Sequence, residues 1–183
     1  FKNLKVVARG VDTQLFQPDK RNESMRNSWG VKPDTLVLLS VGRLAAEKNL
    51  DLTLQTYQAL VAAGRPVTMV FAGDGPMRAL IEAKCPEAIF TGMCTHEQLA
   101  TLYASADLLL FPSLTETFGN VTLESLACAT PVLAFDCAAA GEFITHKTNG
   151  WLAHCDDRQG YIQCALEITK NSSILNQARE YTR

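Results

Sequence analysis

The chain has 183 residues, of which 47 % are hydrophobic and 20 % charged, an ordinary globular composition sufficient for one sizeable core. Its formal net charge of −2 offers no clustered basic excess, which excludes nucleic acid as an expected partner and means that any anionic ligand must be held by local groups. Apolar runs such as "LVLLSVG" fall well short of the roughly 18 residues that a membrane-spanning helix requires.

The chain opens as a strand already under way, "KVVA" at 5–8, with no charged-then-apolar leader before it, and is expected to be a piece of something larger. Further β-branched or leucine-rich runs follow at 36–41, 68–73, 88–92, 107–112 and 131–135. Each is apolar throughout rather than alternating, which suits strands covered on both faces. Helical patterns fill the intervals. Leu50, Leu54, Tyr57 and Val61 recur at helical spacing before a stop at Gly64, and further helices are predicted at about 75–84, 96–104, 120–128, 157–169 and 171–182. Strand alternating with helix gives right-handed crossovers, hence an α/β, Rossmann-like, doubly wound parallel sheet of about six strands flanked by helices. Ligands of such sheets sit outside the carboxyl ends of the strands, so chemistry should gather on the loops that leave them.

Cys85, Cys94, Cys128, Cys137, Cys155 and Cys164 never form a C-x-x-C pair and lie in apolar stretches. That spacing fits neither a zinc site nor a redox pair, and the thiols are expected to be free and buried in a reducing cytosol. His96, His146 and His154 are isolated from one another and are assigned no role.

After 36–41 comes "GRLAAEKN", in which Gly42 permits a tight exit and Arg43 and Lys48 place two cations near the next helix start. Two cations aimed into one cleft repel each other, and a diphosphate relieves that repulsion, arginine bridging two oxygens and lysine acting as a point charge. Taken alone, solvated surface charges, with Glu47 as a partner, are the commoner explanation. After 68–73, "GDGP" reads mainly as structure, its glycines allowing positive φ and Asp74 capping a helix from Pro76 or Met77.

After 107–112, "SLTETFGN" leads into a helix whose first amides are unpaired, an anion site that Gly119 lets a ligand approach. Glu124 falls about one turn into that helix, where an acid is also favourable without any ligand, by roughly 0.3–1 kcal/mol. Glu116 lies in the loop itself, where a carboxylate can accept hydrogen bonds from sugar hydroxyls. The two acids could instead be a glycosidase pair, but that chemistry has no need of adjacent phosphate-binding groups. Cations, helix amides and acids at one sheet edge match the diphosphate, ribose and hexose of a nucleotide-sugar.

With these features the chain resembles, essentially from end to end, the C-terminal nucleotide-sugar-binding domain of retaining GT-B glycosyltransferases of family 4, group 1. The resemblance is carried by "RGVDTQLFQP" (9–18), "VGRLAAEKN" (41–49), "FAGDGP" (71–76), the stretch from 86 to 113 and the E-x7-E element from Glu116 to Glu124. It implies that Arg43 and Lys48 hold the donor diphosphate, Glu124 binds the ribose hydroxyls and Glu116 contacts the donor sugar. Gly42 and the backbone around Phe118, Gly119, Asn120 and Val121 would complete the donor site, with Arg43, Lys48 and Glu116 serving the chemistry. The reaction implied is transfer of a hexose to an acceptor hydroxyl of a glycolipid or polysaccharide precursor, with retention, by front-face attack and without a protein nucleophile. No cofactor is implied beyond the donor, and no metal, since the chain has no D-x-D triplet. Charge on the leaving diphosphate would be met by Arg43, Lys48 and helix amides.

Three departures from the family pattern stand out. Ala129 in "ACATP" replaces a glycine, and a positive φ there costs alanine roughly 1 kcal/mol. Ala138 and Ala139 in "AAAGE" replace paired glycines, which alters backbone approach to the donor; this run is similar to that of lipid and mannose transferases. Residues 1–183 also suffice for only one of two Rossmann-like domains. The chain is therefore expected to be the single donor-binding domain, without the N-terminal acceptor domain and its histidine, binding nucleotide-sugar weakly and not turning it over. A cytoplasmic location follows from the resemblance, with any contact to the inner membrane face made through the other half. An epimerase or phosphorylase of the same fold, or a non-catalytic nucleotide-sugar-binding module, are the alternative readings. The loops "GDGP" and "TGMCTHEQ" are where uridine and guanosine would be told apart.

Overall fold

The computed structural model describes residues 10–115 and 119–182. The strand predicted at 5–8 lies outside them. Among the described residues the strands are β1 (Leu36–Val41), β2 (Val67–Ala72), β3 (Ile89–Gly92), β4 (Leu108–Phe111), β5 (Val132–Phe135) and β6 (Gly150–Ala153). They form one parallel sheet in the order β3-β2-β1-β4-β5-β6. The α-helices are α1 (Glu23–Ser28), α2 (Leu50–Ala62), α3 (Arg78–Lys84), α4 (His96–Ser105), α5 (Asn120–Ala127), α6 (Ala138–Phe143), α7 (Arg158–Ile168) and α8 (Ser172–Thr182). None of the described helices is long and apolar enough to cross a membrane.

The uninterrupted apolar runs have a direct cause, since alternate strand residues feed two separate cores. Leu38, Leu108, Leu110, Leu133 and Phe135 pack on one face with α2, α3, α7 and α8. Val37, Leu39, Leu109, Phe111, Val132 and Ala134 pack on the other with α1, α4, α5 and α6. Both faces being covered, both parities are mainly apolar, with Ser40 the polar residue of β1.

Several expectations need correction. β6, "GWLA", was not predicted: of its four residues only Trp151 and Leu152 are large and apolar, a run too short to stand out. The six-residue helices α1 and α6 were missed for the same want of length. Val61 faces solvent while Leu52 and Leu60 are buried, so the inward stripe of α2 is broader than the predicted one and ends a residue earlier. Asp74 does not cap α3; that helix starts at Arg78 behind Met77 with no side-chain cap, and Asp74 Oδ1 instead accepts from the Gly75 amide. The cysteines are free, but only Cys85 and Cys128 are buried and Cys155 is exposed. Ala129 has φ 54°, the left-handed conformation anticipated for that turn.

The amino end of the sheet is tied by an ion pair. Arg26, on α1, is buried and donates through Nη1 to Asp107 Oδ2 at 2.8 Å and to the Ser105 carbonyl at 2.7 Å. The same Asp107 oxygen accepts from the Val37 amide at 2.7 Å, joining β1 to the start of β4. These contacts leave the opposite, carboxyl end of the sheet open to a ligand.

Candidate functional site

The order in which successive strands are added reverses between β1 and β4, the two central, parallel neighbours. At such a switch point the outgoing loops diverge and open a crevice. Here it is a narrow recess of about 10 Å³, lined by Ser40 to Arg43 and Lys48 from the β1 side and by Leu110 to Ser113 from the β4 side. Lys48 closes a short 3₁₀ turn, Ala46–Lys48, and a Cβ built on Gly42 would lie 3.7 Å from its Cε, so the lysine stem crosses the strand exit. Lys48 is half-buried, as is Gly42, while Arg43 is exposed.

Gly42 and Arg43 also border a second cavity of about 430 Å³, lined further by Ala72, Gly73, Asp74, Met93, Cys94 and Leu99 from the ends of β2 and β3 and from α4. The "GDGP" glycines build its wall. Gly73, at φ 136°, packs so closely that a Cβ there would collide with the Gly42 carbonyl oxygen, and one on Gly75 would lie 2.5 Å from the Leu44 carbonyl oxygen. Backbone bonds lock the same approach, from the Gly42 amide to Ala72 at 2.9 Å and from the Leu44 amide to Asp74 at 3.0 Å. The far side is fixed by a reciprocal cap on α4, where Thr95 and Gln98 exchange side-chain-to-amide bonds of 2.8 and 3.3 Å.

On the β4 side, Glu116 and Phe118 lie outside the described residues. Gly119 is buried at φ 62° and precedes α5, whose start at Asn120 has no side-chain cap. A glycine at that position has no side chain with which to cap the first-turn amides. Asn120 is exposed, and Val121 and Glu124 are half-buried. Asn120 and Glu124 line a small depression of about 80 Å³ with Gly10, Val11, Asp12, Phe16 and Leu123. The predicted residues therefore occupy adjoining loops of one sheet edge but line separate recesses, Gly42, Arg43 and Lys48 in the crevice and Asn120 and Glu124 beside the 10–16 segment.

Burial pushes the Glu124 carboxyl above the ordinary glutamate range, and the Tyr103 hydroxyl, donating to Oε2 at 3.0 Å, pulls it partly back together with the charge of His96. Tyr103 itself is driven well above its usual value, chiefly by burial. Sequence reasoning passed over Tyr103, which reads as one more apolar position of α4. It passed over Asn49 too, which connects the two walls of the crevice. The only signal for Asn49 was its residue type after a short turn, since asparagine tolerates the left-handed conformation.

Comparison with known proteins bears on this arrangement. The family model described as "Glycosyl transferases group 1" matches residues 35–171. The chain is 40 % identical over 146 residues to a GDP-mannose-dependent alpha-(1-6)-phosphatidylinositol dimannoside mannosyltransferase of Mycobacterium tuberculosis, covering 78 % of this chain and 38 % of that protein. It is 34 % identical over 160 residues to a GDP-mannose-dependent alpha-mannosyltransferase of Corynebacterium glutamicum, covering 87 % of this chain and 38 % of that protein. In fold it is similar to WaaG, a glycosyltransferase involved in lipopolysaccharide biosynthesis, with a TM-score of 0.85 at 21 % identity over 98 % of this chain and 50 % of that one. The chain belongs to the group 1 glycosyl transferases, and its sheet is the Rossmann-like sheet of a GT-B domain. It spans about 38 % of the length of those two curated relatives.

Proposed function

We propose that this chain is the donor-binding half of a retaining GT-B glycosyltransferase that moves a hexose from a nucleoside-diphosphate sugar to an acceptor hydroxyl, with the acceptor held by a second domain. Arg43 and Lys48 take the diphosphate, and the Gly119, Asn120 and Val121 amides at the start of α5 share its charge. Glu124 accepts from the ribose hydroxyls, while Glu116 and the Phe118 backbone, outside the described residues, are assigned to the sugar. The flat base enters the cavity bordered by Asp74, Met93, Cys94 and Leu99. GDP-mannose is the donor favoured by the names of the mycobacterial and corynebacterial relatives, and a lipid-linked acceptor at a membrane face by the first of them.

The observation that carries this reading is the position of Arg43, on the rim shared by the switch-point crevice and the larger cavity. A nucleotide whose base fills the larger cavity carries its diphosphate past that point. Positive groups already in place there stabilise the charge that builds on the leaving diphosphate as the glycosidic bond breaks, which is where transferase catalysis needs it. The reading calls on no cofactor or metal. Front-face attack lets the departing phosphate accept the proton of the acceptor hydroxyl, so no side chain has to become covalently bound.

Arg43→Ala and Lys48→Ala in the intact protein test this. Calorimetric titration with GDP and UDP should show at least about a tenfold weaker affinity in each variant, the size expected for a lost charge-assisted phosphate contact. Affinity and transfer rate unchanged in both would remove the site assignment.

A further inference from the structure

Tyr103 lies near the end of α4, fully buried, among residues that ask only for an apolar ring. Phenylalanine would fill that volume as well, so the hydroxyl needs its own explanation. It donates to Glu124 Oε2 at 3.0 Å. The ring is held by Phe16, edge-on at 6.0 Å between centroids, and Phe16 in turn meets His96 at 6.5 Å. The backbone is pinned as well, since Thr130 Oγ1 donates to the Tyr103 carbonyl at 2.6 Å. With ring and main chain both fixed, the hydroxyl has one place to point, and the glutamate that meets it loses its own freedom of rotation.

We propose that Tyr103 is a positioning residue of the donor site, its hydroxyl occupying one oxygen of Glu124 so that the other is presented to a vicinal diol of the nucleotide. This rests on the reading of Glu124 as the ribose acceptor given above. Segment 10–16 closes the recess in which Glu124 stands. Asp12 is present there as well, its Oδ1 engaged by the Gln14 and Leu15 amides at 2.9 and 3.2 Å, so that oxygen shapes the segment.

Charge state gives the arrangement a second consequence. An ionised carboxylate is a stronger acceptor for the Tyr103 hydroxyl and a diol than a neutral carboxyl, and burial works against ionisation. The groups facing Glu124 are Tyr103 and His96 of α4, Asp12 across the recess and Cys128 at the end of its own helix, with Lys20 beyond Cys128. Of these, Tyr103 favours the charged form through its hydrogen bond and His96 through its charge.

The test is Tyr103→Phe in the intact protein, read in two ways. GDP affinity is followed calorimetrically between pH 5 and 8, and the ionisation of Glu124 is followed without ligand by the carbon-13 shift of its carboxyl. The expected result is that both midpoints rise together by about one to two pH units, the size of a lost hydrogen bond to a charged group, with affinity above the new midpoint reduced by no more than roughly tenfold. GDP binding that depends on Glu124, as judged by Glu124→Gln, with a midpoint that Tyr103→Phe leaves in place, overturns the role of Tyr103 and spares the donor reading. GDP binding indifferent to Glu124→Gln overturns the donor reading and the proposal with it. Should the phenylalanine variant not fold, the ring carbon bearing the Tyr103 hydroxyl in the wild-type protein must titrate with the Glu124 midpoint, and the lack of any shared midpoint overturns the coupling.

Discussion

Asn49 bridges the two walls of the switch-point crevice, donating through Nδ2 to the Pro112 carbonyl at 3.2 Å while its Oδ1 accepts from Arg158 at 2.9 Å. It stands between Lys48 and α2 in the left-handed conformation, φ 52°, which asparagine adopts at less cost than alanine. One residue therefore sets the spacing between the Lys48 loop and the loop that leaves β4. Asn49→Ala should lower stability by about 1–3 kcal/mol in urea denaturation, from lost hydrogen bonds and backbone strain together. It should also weaken GDP binding, although Asn49 is given no contact with the ligand. Unchanged affinity in a destabilised variant would mean that the crevice keeps its width without this bridge.

Gly73 is required by close approach rather than by a ligand. Gly73→Ala would drive a methyl into the Gly42 carbonyl at a φ of 136°, so strain and overlap add and the variant should lose at least about 2 kcal/mol. Gly30→Ala is the control. At φ 71° it has nothing within 4 Å of the new methyl, and it should lose only about 1 kcal/mol. Thermal melts of the two proteins, with the first melting clearly lower, check the difference.

Much of this architecture was legible in the residues, and the exceptions share physical causes. Runs such as 36–41 and 107–112 announce themselves because nearly every residue is large and apolar, whereas β6 has only Trp151 and Leu152 between a glycine and an alanine. Arg43 and Lys48 could be placed on the first loop because β1 and its exit glycine were unmistakable. That they and Glu124 line different recesses could not be foreseen, since the distance between them depends on how segment 10–16 folds back over α5. The Tyr103–Glu124 bond was equally hidden. It joins residues 21 positions apart through a hydroxyl on an otherwise apolar helix face.

Asp107 should be the most sensitive acid at the amino end of the sheet. It accepts from Arg26 and the Val37 amide, and Arg21 approaches its other oxygen at 3.6 Å. Asp107→Ala leaves the buried Arg26 guanidinium with only the exposed Glu23 carboxylate, 3.5 Å from its Nε, and removal of one partner of a buried pair typically costs about 3–5 kcal/mol. Arg21→Ala removes a more exposed partner and should cost no more than about 1 kcal/mol. Urea midpoints for the two variants would decide between them, and equal midpoints would mean that Arg26 finds another acceptor.

Glu124 separates stability from binding, and the sign can be worked out. Its carboxyl is held above the ordinary range, mainly by burial, so the fold favours the protonated acid more than the unfolded chain does. The stabilising contribution is therefore complete at pH values below the unfolded value and is lost as pH rises through the folded one. Glu124→Gln has no charge to bury and keeps an acceptor for the Tyr103 hydroxyl. Its stability relative to the wild type should thus improve steadily from acid pH towards neutrality, as read from urea midpoints at pH 4 through 8. GDP affinity should move the opposite way and fall by roughly tenfold or more at neutral pH, because a neutral amide is a poorer partner for a ribose diol than a carboxylate. A variant that is both less stable and unimpaired in GDP binding would make Glu124 a structural acid of α5. A more stable and weaker-binding one identifies a group kept in a half-buried place at the expense of the fold, as binding sites require.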